Sequence, residues 1–140
     1  MSQLSKLHED HAKLARLFRT LGEIIEKPTA PPRLELFDVR QDLMGTLIAH
    51  LKLEDWALYP RLIDSGDPQV SKTGAAFKLE MGGLAPAFIA YCDKWNADAI
   101  EADWQAYCAD TRATLDALTN RLIRENRELL PLIERLDRAA

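Results

Sequence analysis

Residues 47–60, LIAHLKLEDWALYP, set His50 and Glu54 four positions apart in an otherwise apolar helical pattern. Residues four apart share a helix face. Leu43, Leu47, His50, Glu54 and Leu58 follow one another at steps of 4, 3, 4 and 4, so an imidazole and a carboxylate stand where core side chains belong. Such groups are stable in an interior only with partners, whether hydrogen bonds, opposite charges or a metal ion. His11 sits in the same kind of seam, between Leu7 and Leu14, and brings a second imidazole from a second helix. His8, one turn earlier, either flanks that site or faces away from it.

The chain repeats the arrangement 71 residues further on, in residues 118–131, LTNRLIRENRELLP. There Glu125 matches Glu54, Pro131 matches Pro60, and Arg121 stands where His50 stood. Residues 9–21 can likewise be laid over residues 79–91, which pairs His11 with Met81, Leu14 with Leu84 and Phe18 with Phe88. The second copy keeps the carboxylate and loses both imidazoles. A guanidinium stays cationic and offers no free lone pair to a metal. Arg121 therefore reads as an internal cation for the two buried carboxylates, with a side chain that snorkels to the surface as the alternative.

Two copies of a helix pair imply an all-α, antiparallel four-helix bundle with pseudo-twofold symmetry. The seam Leu4, Leu7, His11, Leu14, Phe18, Leu21 and Ile25 predicts a first helix from residue 2 or 5 to 26. Three prolines in KPTAPPR then bar any continuation. A second helix is expected over 34–63, with a kink or its last turn at Pro60, and DSGDP ends it. A third is expected over 70–95, weakened by Gly82, Gly83 and Pro86, where the glycines would make room for the arginine side chain. A fourth is expected to run unbroken over 99–138.

With 140 residues, the chain reads as one domain that buries roughly 68% of its unfolded surface. A net charge of −4 without any basic block argues against nucleic acid or an anionic membrane as partner. No apolar run approaches the ~18 residues of a membrane span, and the charged N-terminus has no signal-peptide pattern, so a cytoplasmic location is expected. Cys92 and Cys108 lack any paired spacing and read as reduced thiols. Phosphate loops and Ser/His/Asp arrangements are missing, so the interior polar groups carry the functional argument.

The DH of Asp10–His11, the HxxxED and LYP running from His50 to Pro60, and the ExxxxxP echo from Glu125 to Pro131 together resemble the hemerythrin-like HHE cation-binding domains, over nearly the whole chain. The resemblance implies a four-helix bundle whose histidines and carboxylates surround two non-haem irons that bind or sense dioxygen. Carried over position by position, it implies His11, His50, Glu54 and Glu125 as metal ligands, with Met81 and Arg121 at two lost ligand positions. The expectation is a regulatory or protein-interaction module rather than an enzyme, without an intact di-iron centre or any bound cofactor. The alternative is a protein that holds one iron or other divalent ion for iron or oxygen sensing.

Overall fold

A computed structural model describes residues 2–139, all of them in helices and the short connections between helices. Helix α1 (Gln3–Ile24) starts at Ser2, whose side chain accepts from the Ser5 amide, and buries Leu7, His11, Leu14, Phe18 and Leu21 along one face. It stops two residues short of the expected end, ahead of the proline-rich crossing. Helix α2 (Arg33–Leu53) follows directly on Pro32. Asp67 caps helix α4 (Pro68–Met81) by accepting from the amides of Gln69 and Val70.

The second rod ends at Ile63, so Pro60 lies in its last turn, one of the two expectations for it. The rod passes from α2 into one π-helical turn, Glu54–Leu58, and then into α3 (Tyr59–Ile63). Proline has no N–H, and its ring crowds the carbonyl four residues back. The wider π turn relieves that crowding, and the Tyr59 amide reaches the carbonyl of Glu54, five residues back. The last rod repeats the device. Helix α7 (Trp104–Arg124) enters a π turn at Glu125–Leu129, the Leu130 amide bonds the Glu125 carbonyl, and Pro131 lies in the first turn of α8 (Leu130–Ala139).

The weakness expected in the third helix at Gly82 and Gly83 is found as a break, and the expected continuity of the fourth helix is corrected. The third rod is interrupted at Gly82–Gly83 and resumes as α5 (Leu84–Lys94). The fourth begins with a short helix, α6 (Ala97–Ala102), after which the chain extends at Asp103 (φ −149°, ψ 77°) so that its carboxylate can cap α7. A local side-chain cap at Asp103 divides the expected helix into two.

The rods α1, α2–α3, α4–α5 and α7–α8 form the bundle. Arg61 at the end of α3 bonds Gln3 and Asp137, at the start of α1 and the end of α8. Lys13 pairs with Asp42, and the Trp104 indole donates to the Lys27 carbonyl, so α1 runs antiparallel to both of its neighbours. Gly74 is where α4 meets α3: a Cβ there would lie 2.7 Å from that of Leu62. The interior is split in two. One apolar cluster holds Leu14, Phe18, Leu43, Leu47, Leu51, Tyr107, Leu118 and Leu122; the other holds Leu7, Leu58, Tyr59, Leu62, Phe77, Leu129 and Ile133. On α1, α2 and α7 the residues between the two clusters are polar.

A candidate metal centre

That intervening layer consists of His11, His50, Glu54, Arg121 and Glu125, each no more than 5% exposed. His11, Glu54 and Glu125 each sit one helical turn from apolar residues of both clusters, so the side chains of this layer must satisfy one another. The His11 and His50 Nε2 atoms lie 3.2 Å apart. His11 Nε2 is 2.9 Å from Glu125 Oε1, and His50 Nε2 is 2.7 Å from Glu54 Oε1 and 3.5 Å from Glu125 Oε1. Three ligand-type atoms, His11 Nε2, His50 Nε2 and Glu125 Oε1, thus converge, with Glu54 Oε1 beside His50.

The far sides of both imidazoles are fixed. His50 Nδ1 lies 3.2 Å from Asp10 Oδ2, and Asp10 is held by Lys6 at 2.9 Å. His11 Nδ1 lies 2.7 Å from Asn126 Oδ1. Both partners are oxygens that accept, so each Nδ1 is the N–H that donates, and each Nε2 is turned inward. This is the orientation that metal-binding histidines take from their outer partners. Asp10, Asn126 and Tyr59 are the site residues the spacing did not single out. Asp10, almost fully buried, stood beside His11 in the DH motif, which is the sequence signal that marked it.

Arg121 lies across the two carboxylates from the imidazoles. Its Nε donates to Glu125 Oε2 at 2.7 Å, and its Nη2 reaches Tyr59 Oη at 3.0 Å and Glu54 Oε1 at 3.4 Å. Tyr59 in turn donates to Glu54 Oε2 at 3.2 Å. Each glutamate therefore spans from the imidazole pair to the guanidinium group. The arginine does not snorkel, and its Nη1 is buried with no partner. Neither Met81 nor the glycines beside it belong to this layer. Met81 packs against the second apolar cluster, a Cβ on Gly83 would touch nothing, and one on Gly82 would meet only the Lys78 carbonyl of its own helix. The expectation that these glycines clear space for Arg121 fails, because the arginine approaches from α7 and the glycines serve to break the rod. His8 is exposed, and Cys92 and Cys108 are free and half-buried.

The electrostatics follow from this geometry. Burial disfavours a charged His50, but its hydrogen bonds to Glu125 and Glu54 outweigh that and push its pKa up to about 10. Burial also works against ionised Glu125, yet hydrogen bonds from His11 and His50 and the charge of Arg121 hold its carboxyl well below the usual range. Glu54 is raised, first by burial, although His50 favours its ionised form. Arg121 keeps its charge because Glu54 and Glu125 outweigh its desolvation. A protonated His50 and the guanidinium thus both lie against the two carboxyl groups.

The hemerythrin HHE cation-binding domain model matches residues 2–133. The chain belongs to that family. No curated protein and no solved structure matches it. As in the hemerythrin-like reading of the sequence, His11, His50 and Glu125 form a group that could hold a metal ion, with their ligand atoms within 4.8 Å of one another. The fit is chemically sound. Bonds of about 2.0–2.2 Å to nitrogen and oxygen separate neighbouring ligand atoms by roughly 2.8–3.6 Å, which brackets the 3.2, 2.9 and 3.5 Å spacings among His11 Nε2, His50 Nε2 and Glu125 Oε1. Imidazole plus carboxylate is a ligand set that suits iron. The Arg121 side of the glutamates offers no comparable set. No helix among the described residues is long and apolar enough to cross a membrane.

Proposed function

We propose that this hemerythrin-like domain holds a single divalent metal ion on His11, His50, Glu54 and Glu125, and that Arg121 supplies the second positive centre that its carboxylates need. The observation that supports this reading is the division of each glutamate between an inward-facing imidazole pair on one side and a buried guanidinium on the other. When bound, an iron-type ion would supply a redox-active Lewis acid in an otherwise dry layer. The chain's own residues present two Nε2 atoms through Asp10 and Asn126, deliver carboxylate oxygens from two π turns, and keep water out with the flanking leucines.

This arrangement suits a regulatory or sensing module better than an oxygen carrier or a di-iron oxidase. Both of those need a second ion where the guanidinium group now lies. Metal analysis and a visible spectrum of protein purified under iron-replete conditions test the proposal, with at most one ion per chain and no reversible oxygen binding expected. Two tightly held irons with an oxo-bridged spectrum would overturn it.

A second reading rests on the proton that His50 retains to about pH 10. The imidazolium and Arg121 then supply positive charge to the carboxyl groups without any metal. Under that reading the protein purifies free of metal, and added ferrous or zinc ion leaves its melting temperature unchanged.

A further inference from the structure

The outer face of α2 carries a pattern that the metal centre does not use. Its most outward residues are Leu34, Asp38, Gln41, Gly45, Ala49, Lys52 and, in the π turn, Trp56, all of them exposed. Their steps of 4, 3, 4, 4, 3 and 4 trace one helical stripe. The Lys52 ammonium lies 5.9 Å from the Trp56 ring, which keeps Trp56 on the stripe. Of the six large apolar side chains most exposed among the described residues, Leu34, Phe37, Trp56 and Ile89 lie on this face or at its margin. Met44 and Ile48 line a shallow groove there with Gly45, Ala49 and Ile89. Exposed large apolar groups at both ends of the stripe and along its α5 side, with an acid and a base between them, mark a candidate interface.

The stripe is self-complementary when read backwards. Turned about a twofold axis at Gly45, it brings Leu34 opposite Trp56, Asp38 opposite Lys52, and Gln41 opposite Ala49. Apolar groups meet apolar groups and an acid meets a base, twice each, as an isologous contact demands. Along the α5 side, Phe37 falls near the partner's Trp56 and Met44 near the partner's Ile48. The residue on the axis has no side chain, and a Cβ there would meet nothing within 4 Å, so two backbones can approach closely. Asp38 and Lys52 have no ion-pair partner among the described residues.

We propose that α2 is a homodimerisation helix: two copies of this chain pack α2 against α2, antiparallel, about an axis at Gly45. The contact is about 33 Å long and buries on the order of 500 Å² per protomer, less than the ~800 Å² of a standard interface. An interface of that size suits a dimer that exchanges with monomer.

Sedimentation velocity over roughly 1 μM to 1 mM, a span in which such an exchange shows, tests this on the full chain. The parent should show a monomer–dimer equilibrium. Gly45→Arg, which leaves the core alone and raises helix propensity, should be monomeric throughout with an unchanged helical circular dichroism spectrum. Asp38→Lys and Lys52→Asp should each weaken the dimer at least tenfold. The two variants mixed should form a heterodimer, because each then faces opposite charges, and the doubly exchanged chain should recover parental affinity. A parent that stays monomeric at the highest concentration, a dimer indifferent to Gly45→Arg, or single variants that do not rescue each other on mixing would overturn the proposal.

Discussion

The two halves of the bundle use the same backbone device to opposite ends. In each, a glutamate opens a π turn that closes five residues later against a proline-bearing helix: Glu54 before Pro60, Glu125 before Pro131. The residue four positions before the glutamate is His50 in the first half and Arg121 in the second, and both face into the same buried layer. One exchange therefore decides which side of the carboxylates can accept a metal and which already carries a fixed charge. An imidazole can trade its proton for an ion, whereas a guanidinium cannot.

Deleting the fixed charge should have the largest effect. Arg121→Ala leaves two buried carboxylates with only the imidazoles to balance them, and removing one partner of a buried pair typically costs about 3–5 kcal/mol. Denaturant melts of the metal-free protein should show that loss, with chelator present in both samples. An almost unperturbed variant would mean that the arginine does not neutralise the layer.

The exchangeable charge should reveal itself in a pH titration. The pKa of His50 is higher in the folded chain, at about 10, than its ordinary 6.5. Its contribution to stability is complete below about pH 6.5 and is lost as the pH rises toward 10. Metal-free protein should melt at progressively lower temperature over that window, by no more than the Arg121 deletion costs. His50→Gln should flatten the slope, and a slope that survives the substitution would assign it to another group.

Tyr59 has no polar counterpart in the second half, where Leu130 follows the π turn. Its hydroxyl accepts from Arg121 and donates to Glu54. A buried hydrogen bond to a charged group is worth about 1.5–3 kcal/mol, so Tyr59→Phe should cost that much while Leu130→Met, a volume-conserving swap, costs less. Equal losses would show that the two turns are supported by packing alone.

The smallest expected change is in the outer partner of His50. Asp10→Asn should weaken binding of ferrous or zinc ion by about 10–100-fold, with little change in the melt of the metal-free protein. Calorimetric titration gives that ratio directly. An undiminished affinity would show that the His50 ring is held by its neighbours and not by Asp10.

Much of this was legible in the sequence. The 71-residue offset between His50-Glu54-Pro60 and Arg121-Glu125-Pro131 pointed to the repeat, the bundle and the residues of the polar layer before any coordinates. The backbone at the glutamates was not legible. A proline in a helical pattern reads as a kink because an α-helix has no good place for it, and the pattern says nothing of a wider turn that does. Asp103 fell inside the expected fourth helix because its role as a cap depends on a local extended conformation. Gly82 and Gly83 drew attention by their number, while the glycine in a close approach was Gly74, which a helical pattern absorbs without a mark. Asn126 was invisible for a different reason: its partner, His11, is 115 residues away.

In an ideal α-helix each step of four residues overshoots a full turn by about 40°, so a stripe written in consecutive fours winds off its face. The second rod has such a run in Glu54, Leu58 and Leu62, yet all three are buried. The π turn, with more residues per revolution, winds the stripe back. Glu125 and Leu129 gain the same correction before Ile133, also buried. The two turns act as phase locks between the lower apolar cluster and the rest of the bundle. Losing one residue from either would rotate the terminal helix away from its half of the core, so shortening these segments by a single position does more harm than almost any change of side chain within them.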